Sequence, residues 1–189
     1  MLHCAGMMRL GLTLVTLASL TSVASAGTYL GVGLGSESSG GAERPDGTDA
    51  GTMDGYGRSG RLMLGSRFSK LSIEGQASRF GVTFDSSEYE ATQIAAALKL
   101  SIPLGNNFEF FAKGGLERTW LNNGPSEMHD AAGNGLLLGA GFEYRLSLGV
   151  TAASIFVDYQ RASSGFENDY MLAWDGVTSM WTLGATVSL

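Results

Sequence analysis

The last twelve residues, 178–189, alternate without a break. Trp181, Leu183, Ala185, Val187 and Leu189 fall on one parity, and Met180, Thr182, Gly184, Thr186 and Ser188 on the other. A period of two is a β-strand with one apolar face and one small or polar face. The same pattern recurs in seven earlier segments: 28–36, 60–68, 71–80, 92–102, 108–120, 136–147 and 154–161. In the first of these, Leu30, Val32 and Leu34 oppose Gly31, Gly33 and Gly35. The alanine-rich segment 92–102 also suits a helix, but its strict parity and the turn beginning at Pro103 favour a strand.

The chain opens on a processing segment. Arg9 supplies a positive start, residues 11–23 an apolar core, and Ala24-Ser25-Ala26 a cleavage site. Residues 1–26 are therefore expected to be removed, whether translation starts at Met1, Met7 or Met8, and Gly27 to begin a mature chain of one domain, 27–189. Cys4 leaves with the signal, so no disulfide is expected in the mature fold. Without Arg9, eleven basic residues face eighteen acidic ones, a mature net charge of −7 that argues against nucleic acid as a partner. No later segment approaches 18 consecutive apolar residues, so no spanning helix is expected. Alternating strands of about ten residues behind a secretion signal are the pattern of an all-β, eight-stranded, antiparallel up-and-down barrel in an outer membrane.

The connections set its orientation. Those after the first, third, fifth and seventh strands are long and polar: Glu37 to about Gly57, Asp85 to Glu90, Asn122 to Asn134, and Ser163 to about Asp175. The others are a few residues each. Long loops face outward and short turns the periplasm, so both termini are periplasmic. Phe68, Phe108 and Tyr144 then fall near the inner interface, and Trp120 and Tyr159 near the outer one.

A soluble secreted barrel of the lipocalin kind also alternates, but with charge outside. Here the polar parity is mostly Gly, Ala, Ser and Gln, and its charges balance. Arg61, Arg67, Lys99, Lys113 and Arg145 stand against Glu74, Glu109, Glu117, Glu143 and Asp158. Eight strands leave room inside only for side chains, and charges there must be paired. The expectation is one inward network of ion pairs that fills the lumen and argues against a wide pore.

Three stretches then resemble a known family. FAKGGLE, GAGFEYRLS and FVDYQR are similar to strands of the OmpA-like and OmpX-like eight-stranded outer-membrane barrels. The resemblance implies insertion by the β-barrel assembly machinery, which reads a last strand that normally ends in Phe; this chain ends in Leu189. A monomer is expected, and, with the eighth strand at the end of the sequence, no peptidoglycan-binding domain of the kind that some members carry is expected.

Other constellations are weak. Gly31, Gly33 and Gly35 lack the spacing and helix of a phosphate loop. Asp46, Asp49 and Asp54 do not match a calcium loop. Ser126, His129 and Asp130 sit in one loop without the motif of lipid A deacylases. No cofactor or metal is expected. Arg79, Arg118 and Arg161 lie on the lipid parity near outer strand ends, where contact with lipopolysaccharide phosphates suits an Arg fork. The expected function is that of a non-enzymatic surface protein whose four outer loops contact an extracellular ligand. A small pore is the alternative, and a lipid A-modifying enzyme a more distant one.

Overall fold

The computed structural model describes residues 26–44, 46–84, 87–122, 131–148, 151–168 and 173–189. The signal segment up to residue 25, and Ser126, His129 and Asp130, lie outside the described residues.

The fold is all-β. Its strands are β1 (Ala26–Gly35), β2 (Ser39–Glu43), β3 (Asp49–Phe68), β4 (Leu71–Phe84), β5 (Ser87–Pro103), β6 (Phe108–Asn122), β7 (Ala131–Leu148), β8 (Thr151–Asn168) and β9 (Ala173–Ser188). Every pairing is antiparallel, and the ring closes where β1 lies between β3 and β9, with Val32 opposite both Leu62 and Ala185. Closure leaves no unpaired edge, which lipid does not tolerate. β2 lies between the same two neighbours, with Gly41 opposite Thr52 and Val177. β1 and β2 are thus two parts of one stave, and nine strands make eight staves. The break at 36–38 stays bonded: Ser36 N–H donates to Trp181 O at 2.8 Å, and Gly55 N–H to Ser38 O at 2.6 Å.

The staves run further outward than the sequence pattern suggests. The polar stretch Glu37 to Gly57 holds β2 and the first half of β3, closed by a turn in which Gly47 takes φ +79°. The physical reason lies on the inner face. Ala42, Met53, Phe80, Val82, Ala91, Leu121, Phe166 and Met180 all point inward at this end and pack as one apolar cluster. Their outward neighbours, among them Glu43, Asp54 and Glu88, are exposed. Within each strand the inside parity holds, shifting by one only at the 36–38 break, where Tyr29 faces in on β1 and Ala42 on β2; the chemistry of that inner face inverts above the membrane. A pattern search tuned to apolar-outside alternation reads that inverted stretch as loop.

Lower down, the apolar residues are outside. Leu34 and Leu116 are each 68 % exposed, and Leu30, Val32, Leu62, Ile94, Leu98, Leu136, Leu138 and Leu183 join them in a continuous belt. A soluble barrel would bury these residues; a lipid solvent explains them. Phe108, Phe142 and Tyr144 border the belt at the short-turn end, with Phe108 stacked on Phe142 at 5.4 Å. Tyr159 and Trp181, 5.1 Å apart, border it at the other.

The glycines make room inside. A Cβ at Gly65 would enter the Tyr29 ring, and one at Gly184 would meet the Phe156 ring and the carbonyl of Val32. Tyr29 and Phe156 therefore lie over bare backbone on a neighbouring stave. Gly65→Val is expected to lose about 1–3 kcal/mol to overpacking in urea unfolding from detergent. Gly75→Val, facing out with only ordinary contact at Cβ, is expected to lose none. Equal losses would contradict this packing.

Candidate functional site

The lumen is where the charged residues converge. Asp158 on β8 is 0 % exposed. Arg61 crosses from β3 and donates from Nη1 to both carboxylate oxygens, at 3.0 and 3.1 Å. Lys113 on β6 donates to the same carboxylate and lies 3.7 Å from Glu74 on β4. Glu74 also accepts from Tyr29 Oη at 2.8 Å and from Gln76 Nε2 at 2.5 Å. Gln160 Nε2 donates to Gln76 Oε1 at 2.9 Å. Two cations and two carboxylates thus tie β3, β4, β6 and β8 across the barrel, with Tyr29 adding β1.

Two further layers lie toward the short-turn end. Lys99 Nζ donates to Glu143 Oε2 at 2.6 Å and sits 4.3 Å from the Phe111 ring centroid. Arg67 Nη2 and Arg145 Nη2 each reach Glu109 Oε1 at 3.0 Å. The expected single network is therefore a stack of separate layers.

Glu117 stands apart from all of them. Its carboxylate accepts from Gln93 Nε2 at 3.2 Å and from the Thr119 and Ser164 hydroxyls, and it has no cation in an ion pair among the described residues. Equal numbers of charges do not make equal numbers of pairs, because Glu109 takes two guanidinium groups and leaves Glu117 with none.

The three outward arginines are exposed. Arg79 pairs with Glu90, Arg118 lies 5.3 Å above the Trp120 ring, and Arg161 borders an open groove with Tyr159 and Asp175. Asp46, Asp49 and Asp54 do not converge. Asp46 Oδ1 accepts from Thr48 N at 3.0 Å and Asp49 Oδ1 from Gly51 N at 2.8 Å, each closing a local turn. The Thr48 hydroxyl and N–H hold the Asp46 carboxyl below its usual range. Among the described residues no group of acids, histidines or thiols is arranged to hold a metal.

A family model for the outer membrane protein β-barrel domain matches residues 9–188, nearly the whole chain. The chain belongs to this family. Its solved relatives in fold include neisserial surface protein A, 16 % identical over 86 % of this chain and 97 % of that one, with a TM-score of 0.62. They also include Ail of Yersinia pestis in complex with the heparin analogue sucrose octasulfate, 13 % identical over 87 % and 99 %, with a TM-score of 0.52. At such identities the likeness shows the fold. No curated protein matches the chain in sequence. Membership of the family and the apolar belt place the protein in the outer membrane.

In this family barrel, sequence reasoning missed Tyr29, Phe111, Gln76 and Gln160 as parts of the charged interior. All four share the glycine-and-charge parity, so the signal was present; attention to charge alone passed over them. Lys113→Met leaves Asp158 and Glu74 short of a partner in a dry interior. The expected loss is roughly 3–5 kcal/mol in urea unfolding from detergent. Arg118→Met, which removes the same charge from the outer surface, is expected to lose less than about 1 kcal/mol. Equal, small losses would show that the interior charges are not mutually dependent.

Proposed function

We propose that the protein is a non-enzymatic surface barrel, a filled scaffold that holds an acidic crown above the outer membrane for contact with cationic partners. The observation that carries this reading is how charge is sorted along the axis. Of eighteen acidic residues, five lie on the lumen parity. The other thirteen fall in the outward connections and the stave ends leading into them, against only Arg44, Arg58, Arg79, Arg118 and Arg161. Such a field speeds the approach of cations and repels polyanions.

The charged layers and apolar clusters inside the barrel favour the scaffold reading over a wide pore. The three ion-pair layers lie in the membrane section, the Phe111, Met63 and Phe156 cluster lies among them, and the apolar cluster packs at the outer end. Lipopolysaccharide is the proposed neighbour of the rim. Arg118 and Arg161 offer guanidinium groups to its phosphates, and Arg79 would exchange Glu90 for one. β9 is the strand proposed to be read during insertion, and Leu189, the residue after it, donates its N–H to Thr28 O at 2.8 Å.

The test is binding of a lysine-rich peptide to the folded protein in detergent. Replacing Asp46, Asp49 and Asp54 together by Asn is expected to weaken binding several-fold at low salt. The difference should vanish near 1 M salt, where the screening length is about 3 Å. Binding indifferent to both the substitutions and the salt would overturn the proposal.

A further inference from the structure

We propose that the periplasmic mouth of the barrel is a binding site for a small polyhydroxylated anion of the sugar-phosphate class. A cavity of about 280 Å³ opens at the short-turn end, away from the acidic crown. Its wall carries three cations, Arg67, Lys99 and Arg145, and one carboxylate, Glu143.

The charges are not balanced locally. In the centre of the lumen, Arg61 and Lys113 match Glu74 and Asp158. Around the mouth, Arg67, Lys99 and Arg145 meet only Glu109 and Glu143. One positive charge is left over at this end, and Lys70 in the adjoining turn adds another. The compensating negative charge is Glu117, on the far side of the central cluster. Arg145 is only partly enclosed, its side chain 40 % exposed, so its guanidinium can hold Glu109 and still meet a ligand entering from the periplasm.

Size and lining narrow the ligand. At about 30 Å³ per water molecule, the cavity holds roughly nine waters. That exceeds a bare phosphate and suits one hexose ring with its phosphate. Beside the charges the wall is mostly hydroxyl: Tyr29, Ser72, Ser154, Thr186 and Ser188. Hydroxyls donate and accept, as a polyol requires. Of the lining residues only Gly27 and Ala152 lack a polar side chain. Arg67 is held in place by Ser69 O, which accepts from its Nε at 2.8 Å, and by Glu109, whereas the partly open guanidinium fork of Arg145 suits recognition of phosphate oxygens.

This site is independent of the outer crown, and each reading can fail alone. Isothermal titration of the folded protein in detergent at low ionic strength would use glucose 6-phosphate, glucose and inorganic phosphate as probes. Glucose 6-phosphate is expected to bind saturably at one site, at least tenfold tighter than inorganic phosphate, and glucose not to bind. Arg145→Gln should weaken glucose 6-phosphate at least tenfold, whereas Arg58→Gln, the same charge change at the outer end, should not. Ala152→Trp fills the cavity without touching a charge. It should abolish binding even if the Arg145 variant folds poorly. No saturable binding, binding that survives Ala152→Trp, or equal weakening by Arg58→Gln would overturn the site.

Discussion

One carboxylate organises the interior. Asp158 is wholly buried and accepts from Arg61 and Lys113, which reach it from β3 and β6. In lipid, burying apolar side chains inside the barrel gains little, because the surrounding tails are as apolar as leucine. What distinguishes one arrangement of staves from another is then how well the interior polar groups satisfy each other. An isolated charge there costs several kcal/mol, so each charged residue holds its stave to the stave that carries its partner. The glycines follow from the same constraint, because long cationic and aromatic side chains need bare backbone beside them: a Cβ at Gly139 would meet the Lys113 and Gln160 side chains.

The barrel spans two solvents, and its inner face records the change. Within the membrane the lumen is polar and the outside apolar. Above it, Met53, Phe80, Val82 and Leu121 turn the inside apolar, while Glu43, Asp54 and Glu88 face water. This outer section is built like a soluble barrel, with an apolar cluster inside and charge outside. Charge excluded from the lipid belt and from the apolar cluster occupies the outer surface there, as Glu43, Asp54 and Glu88 do.

Parity was legible in the eight segments that cross the membrane, because a strand's two faces alternate whatever they touch. It placed Arg61, Lys113, Glu117 and Asp158 inside and Leu34, Arg79 and Arg118 outside, and the structure has the same faces. Three things were not legible. The outward extension of the staves was hidden by the inversion of polarity at the interface. The division of charges into layers depends on the stagger between staves, which no single strand reveals. The isolation of Glu117 follows from Arg67 and Arg145 sharing Glu109, a contact between β3, β6 and β7 that spacing along the chain does not encode.

The central claim is that the charges of the central layer, Arg61, Lys113 and Glu74, act as one energetically coupled unit around Asp158. A double-mutant cycle measures this directly: urea unfolding in detergent of Lys113→Met, Asp158→Asn and the pair together. Coupled groups in contact show interaction energies of about 0.5–3 kcal/mol, and a buried ion pair belongs at the upper end of that range. The account predicts a coupling of at least about 1.5 kcal/mol, with the double variant losing far less than the two single losses combined. Losses additive to within about 0.5 kcal/mol would mean that Lys113 and Asp158 act independently, and would contradict it.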